Sequence, residues 1–177
     1  DPVEVWSFRA LALDARPPVD QLVSDATPAS ATYRELSGGE LRNDEGLLSA
    51  VFGLLVLAHY RTEPNDVARL LDAPNVSVHC LTYDGHVVAV ALLAREGGLS
   101  ARRRRAVSDG ERIRGHLLPD VLTSQLRDEA AGEPTGWRVM RIATHAAARS
   151  RGLGSALLDG VRERARAEGL DYLGVAY

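Results

Sequence analysis

Apolar and polar residues fall into short blocks whose period changes along the chain. Ala31–Leu36 reads as a short strand closed by Gly38-Gly39. From Asn43 or Asp44, either of which can cap a helix, Leu47, Leu48, Val51, Phe52 and Leu55 recur at helical spacing towards Tyr60. Apolar residues cover more than one face of that helix, which predicts deep burial. A second, short helix runs from Pro64, harmless in a first turn, to Leu71. Val76–Tyr83 and His86–Ala94 are β-branched runs around Asp84-Gly85, the clearest hairpin signal in the chain, and Gly97-Gly98 closes it. Helices are expected over Leu99–Val107 and Leu117–Arg127, and a turn over Gly132–Gly136. A strand over Trp137–Thr144, a helix over Gly154–Glu168 stopped by Gly169, and a strand over Tyr172–Tyr177 complete the pattern. Residues 1–30 read as a lead-in, with a strand-like run at Trp6–Leu13 and breaks at Arg16-Pro17-Pro18 and Thr27-Pro28. They are the tail of a preceding domain or a linker. The order is α/β: an antiparallel hairpin followed by one β-α-β crossover.

Composition narrows this picture in a few places. The 177 residues suffice for one domain with a sizeable core. A net charge of -3 gives no bulk attraction to nucleic acid, so any such contact needs a local patch. Arg102, Arg103, Arg104 and Arg105 form the one basic run, with Arg112 and Arg114 nearby. They are either a solvated helix face or a phosphate-contacting patch for RNA. Lysine is absent, so every basic side chain is an arginine. The single cysteine, Cys80, excludes an internal disulfide and a multi-cysteine zinc site, and its apolar surroundings suggest a core thiol. The histidines lack H-x-x-x-H spacing, so no metal is expected. The longest apolar stretch, Leu47–Leu57, is broken by Gly53 and too short to span a membrane, so a cytoplasmic protein is expected. The chain opens Asp1-Pro2 without an initiator Met and ends on strand-like residues, as an excerpt of a longer protein would.

The chemistry concentrates in one segment. Val139–His145 is an apolar strand, Ala146-Ala147-Ala148 a short loop, and Arg149-Ser150-Arg151-Gly152-Leu153-Gly154-Ser155 opens a helix. Glycines let backbone approach a phosphate, the first-turn amides lack intrahelical acceptors, and the helix dipole favours an anion there. A dinucleotide fingerprint fails because its third glycine would fall at Leu157, and a P-loop fails for want of lysine. Two readings remain: a glycine-rich helix start without a ligand, and the diphosphate cradle of acetyl-coenzyme A.

In the second reading the segment resembles motif A of the GNAT superfamily, R/Q-x-x-G-x-G/A after a strand, matched by Arg149, Gly152 and Gly154. Further blocks extend the likeness over about residues 31–177. These are Ala58–Asp66, Leu71-Asp72-Ala73-Pro74, Gly115-His116-Leu117-Leu118-Pro119 and Arg141-Ile142-Ala143-Thr144-His145. Together they resemble the tRNA(Met) cytidine acetyltransferase family. The resemblance implies a GNAT-like mixed sheet flanked by helices, C-terminally incomplete, over residues 31–177. It implies acetyl-CoA as cofactor and tRNA as acceptor, giving N4-acetylcytidine. It also implies ATP hydrolysis by a module outside this chain, with residues 1–30 as the end of that module. Ile142, Ala143 and Thr144 would present strand backbone to the pantetheine arm, and Arg149, Ser150, Arg151, Gly152, Leu153, Gly154 and Ser155 would hold the diphosphate.

His59 is the candidate catalytic residue, able to take the N4 proton near neutral pH, with capping of helix carbonyls as the alternative. His145 is expected to shape its loop, His116 to sit in a surface loop or face substrate, and His79 and His86 to be structural. Two rival functions stay open: a GNAT enzyme for an amine or protein acceptor, and a non-catalytic module that binds coenzyme A or RNA.

Overall fold

The computed structural model describes residues 15–57 and 65–176. The elements in order are α1 (Asp20–Val23), β1 (Thr32–Leu36), α2 (Gly38–Asn43), α3 (Glu45–Leu57), α4 (Asn65–Asp72), β2 (Val76–Tyr83) and β3 (His86–Gly97). Then come α5 (Ala101–Ser108), α6 (Leu117–Leu126), β4 (Thr135–Thr144), α7 (Leu153–Ala167) and β5 (Tyr172–Val175), with 3-10 turns at Glu129–Gly132 and Ala146–Ala148. The sheet order is β1-β2-β3-β4-β5. β1 runs antiparallel to β2, from Thr32↔Thr82 to Leu36↔Val78, and β4 runs parallel to β5, from Gly136↔Tyr172 to Val139↔Val175. A parallel pair needs a crossover, and α7 supplies it.

Packing divides the chain into two units, and β3, β4 and α7 each pass from one to the other. The first comprises the described residues up to Leu92 together with Arg141–Gly160. Its centre is β3, where Val87–Leu92 are all buried, a continuous apolar run that a strand covered on both faces demands. Asp84 and Gly85 make the hairpin turn at φ 48° and 80°, the left-handed pair a two-residue turn needs. Asp44 Oδ1 accepts the Leu47 N–H at 2.9 Å and so caps α3. The expected strand end at Gly38-Gly39 is instead the first turn of α2. Ser37 Oγ accepts the Glu40 N–H, and the Glu40 carboxylate accepts the Ser37 N–H at 2.8 Å, a reciprocal capping box. The Ser37 amide and hydroxyl, with Arg34 beside them, hold the Glu40 carboxyl below the ordinary carboxylate range.

Residues 15–30 of the expected lead-in belong to this first unit. Val23 and Ala26 are fully buried, and the Arg16 N–H donates to Ser49 Oγ at 3.1 Å. A Cβ on Gly53 would stand 2.5 Å from the Arg16 carbonyl carbon, so the glycine that interrupts the apolar run of α3 is where this segment crosses it. The strand-like run Trp6–Leu13, the end of the α3 pattern at Tyr60, and Pro64 lie outside the described residues.

The second unit comprises Leu93–Met140 and the residues from Val161 on. Glu96, 1% exposed, is its buried anion. Glu96 accepts from Arg138 Nε at 2.6 Å and from the Leu118 N–H at 2.9 Å. A buried carboxylate is tolerated when it is paired and hydrogen-bonded in this way. His116 Nδ1 accepts the Gly97 N–H at 3.0 Å, so the Gly115–Pro119 block is fastened to the end of β3 by two bonds. Gly97, at φ 89°, has no room for a Cβ because the Pro134 carbonyl lies against it.

Candidate functional site

The anion turn is built as follows. β4 carries Ile142, Ala143 and Thr144 to its end, and the His145 N–H donates to the Val88 carbonyl at 2.9 Å, fixing where the chain leaves the sheet. The 3-10 turn Ala146–Ala148 leads into Ser150 at φ 60° and Gly152 at φ 85°. Two left-handed residues around Arg151 bend the chain into α7. The first intrahelical bond is Ala156 N–H to the Gly152 carbonyl at 2.9 Å. Among the described residues, the amides of Gly152, Leu153, Gly154 and Ser155 have no protein acceptor.

These amides border a cleft of about 520 Å³, lined by Leu57, Ile142, Ala143, Thr144, Arg149, Ser150, Gly152, Leu153, Gly154 and Ser155. It is large enough for a diphosphate and part of a linear chain beside it. β5 pairs with β4 only as far as Val139, so Ile142–Thr144 have no β5 neighbour among the described residues. Strand backbone is therefore open where a linear amide-bearing ligand could add to it. The Arg149 guanidinium is exposed and touches the Thr144 carbonyl through Nε at 3.4 Å, which leaves its other N–H donors available.

Of the residues expected to hold the cofactor, the cleft brings together all but Arg151. Arg151 donates from Nη1 to the Ser24 carbonyl instead. Sequence reasoning missed Leu57, which closes one wall at the end of α3 and carried no signal beyond being apolar. Gly154 supports a ligand in another way. A Cβ there would meet only Thr144 Oγ1, at an ordinary 3.5 Å, so the protein's own packing does not require glycine at that position.

Residues 50–172 match the GNAT acetyltransferase 2 family. The chain belongs to that family. It is 67% identical over 177 residues to the tRNA(Met) cytidine acetyltransferase TmcA of Haloarcula marismortui, and 66% identical to that of Haloferax volcanii. The match covers the whole chain but 23% of each relative, so the chain corresponds to the GNAT segment of much longer proteins. Among solved structures, the ribosomal-protein-alanine N-acetyltransferase of Brucella melitensis superposes with a TM-score of 0.53 at 13% identity. That match covers 83% of this chain and 79% of the other, and it shows the GNAT fold alone.

Other expected site residues of this GNAT domain fall elsewhere. His59 lies outside the described residues. The six arginines considered for RNA are not equivalent. Arg104 pairs with Glu133 at 3.4 Å, Arg105 with Glu129 at 3.9 Å and Arg112 with Asp120 at 3.0 Å. Arg102, Arg103 and Arg114 are exposed and have no carboxylate partner among the described residues. His145 is 2% exposed and both ring nitrogens are engaged: Nδ1 with the Ala147 N–H at 3.3 Å and Nε2 with the Pro18 carbonyl at 2.8 Å. These two bonds hold the ring inside the loop that follows β4. His79 is likewise internal, between Tyr33 Oη at 2.6 Å and Ser77 Oγ at 2.9 Å. Cys80 is buried, and burial pushes its thiol up to about 11, which leaves no thiolate for covalent chemistry at neutral pH. Among the described residues no group of three or more His, Cys, Asp and Glu could hold a metal ion, and no helix is long and apolar enough to cross a membrane.

Proposed function

We propose that this domain binds acetyl-CoA in the cleft at the start of α7 and transfers its acetyl group to the N4 amine of a cytidine in tRNA. The observation that carries this reading is the row of unpartnered amides at Gly152–Ser155 bordering a cleft beside the open edge of β4. Those amides and Arg149 would take the diphosphate, where hydrogen bonds to a charged group are strong. Ile142–Thr144 would align the pantetheine arm along β4. Acetyl-CoA supplies the activated acyl group, and the protein supplies its alignment and the exclusion of water.

The acceptor is supported by the activity for which the relatives are named and by the length of the likeness to them. Cytidine N4 is a poor nucleophile because its lone pair is delocalised, and the base must leave its stack, which costs a few kcal/mol. An ATP-driven module elsewhere in the full-length protein would offset that cost, and a tRNA acceptor puts the reaction in the cytoplasm. His59 would take the N4 proton as the C–N bond forms and the thioester C–S bond breaks, with coenzyme A leaving as its thiolate. Arg102, Arg103 and Arg114 are the cations best free to meet RNA phosphates.

The test is calorimetry with acetyl-CoA, then acetylation of tRNA(Met) against a panel of small amines by the full-length protein. Binding with transfer to tRNA alone supports the reading. Transfer to amines alone would make this an amine N-acetyltransferase, and binding without transfer a coenzyme A-binding module. His59→Ala should lower kcat more than acetyl-CoA affinity; the reverse would give His59 a structural role.

A further inference from the structure

The segment from Arg16 to Pro28 is tied to the anion turn at several points, yet none of its residues lines the cleft. The Pro18 carbonyl accepts from His145 Nε2 at 2.8 Å, and the Ser24 carbonyl accepts from Arg151 Nη1. Pro28 Cγ lies 3.5 Å from where a Gly152 Cβ would stand. At its other end the segment is anchored on α3, through Ser49 Oγ and the close approach over Gly53. Val23 and Ala26, between these anchors, are fully buried.

The turn needs such support. Ser150, not a glycine, holds left-handed backbone just before Arg151, and such a conformation persists only where the surroundings over-determine it. His145 is also fixed to β3, through its amide and the Val88 carbonyl. Because Nδ1 accepts the Ala147 N–H, the proton sits on Nε2 and is donated to Pro18.

We infer that residues 16–28 form a strap that sets the shape of the diphosphate turn, with His145 and Arg151 as positioning residues rather than ligand contacts. This rests on the reading that the turn holds the diphosphate of acetyl-CoA. Linkage then makes the effect reciprocal: whatever orders the strap tightens coenzyme binding, and the coenzyme orders the strap by the same factor. The chain that enters the domain through the strap is thereby placed to influence the coenzyme site.

Amide hydrogen exchange on the intact protein, with and without saturating acetyl-CoA, tests this without any substitution. The Ser24 and Ala26 amides, bonded to the Asp20 and Val23 carbonyls, are the reporters. Slower exchange at Ser24 and Ala26 as well as at Gly152–Ser155 is the expected result. Slowing at Gly152–Ser155 alone overturns the strap and leaves the coenzyme reading intact. No change at either, with no calorimetric heat, overturns both. A double-substitution cycle separates pin from ligand. Arg151→Ala should weaken acetyl-CoA about tenfold, as loss of a charge-assisted bond would. In a Gly53→Ala background, where the new methyl displaces Arg16, Arg151→Ala should add little further loss. An undiminished loss there would make Arg151 a direct contact.

Discussion

Gly152 and Gly154 stand in the same turn but are glycines for different reasons. Gly152 sits at φ 85°, where a Cβ is strained whatever the space around it. Gly154 has ordinary room, with Thr144 Oγ1 at 3.5 Å from a built Cβ, and both residues line the cleft. Gly152→Ala should therefore cost about 1–2 kcal/mol of stability, seen as a lower urea midpoint at unchanged slope. Gly154→Ala should leave the midpoint unchanged or slightly raised, since alanine favours helix over glycine. Its acetyl-CoA affinity should fall, because the methyl stands where backbone would meet phosphate. A Gly154→Ala protein that binds as tightly as the parent would remove the main support for the proposed site.

At the scale of elements, the sequence was readable wherever local chemistry decides the outcome. The hairpin at Asp84-Gly85, the cap at Asp44 and the stop at Gly169, φ 69°, all depend on residues within a few positions of one another. α2 is equally local, set by the reciprocal Ser37–Glu40 capping box, but the glycine pair inside its first turn reads as the end of a strand. Ser37→Ala removes the side-chain half of that box and should destabilise the domain by about 1 kcal/mol in urea unfolding. The lining of the candidate cleft was legible for the same reason, since strand, turn and helix start are contiguous from Ile142 to Ser155. What could not be read was the strap. Its bonds join Pro18 and Ser24 to His145 and Arg151 across more than a hundred residues, using backbone carbonyls that every residue type carries. For that reason nothing local marked the contact of Arg151 with the Ser24 carbonyl. The division among the arginines was hidden too, because Glu129 and Glu133 reach Arg105 and Arg104 only once the chain has turned back on α5.

Across the whole molecule, two weak acids, buried Cys80 and half-buried Tyr172, set the response to alkali. Burial pushes the Cys80 thiol from 9.0 to about 11. Burial, then the Glu96 carboxylate, pushes the Tyr172 phenol from 10.0 to about 12. The fold keeps both groups protonated while the unfolded chain releases them at ordinary values. The stability they contribute is complete below about pH 9 and is lost as pH rises, through Cys80 first and then Tyr172. Between pH 8.5 and 11 the Cys80 part should amount to about 2 kcal/mol. The check is urea unfolding over that range, where Cys80→Ala should flatten the decline.

The half-paired β4 has a consequence beyond catalysis. A strand whose peptide groups lack a neighbour is a template on which another chain can stack, and proteins generally guard such rims. Here the rim from Ile142 to Thr144 belongs to the cleft, so what guards it must also be able to leave. Coenzyme A, with amides along its length, would act as a removable guard, and the domain should be most prone to self-association when it has none. Light scattering of concentrated protein should rise more slowly with time when coenzyme A is present.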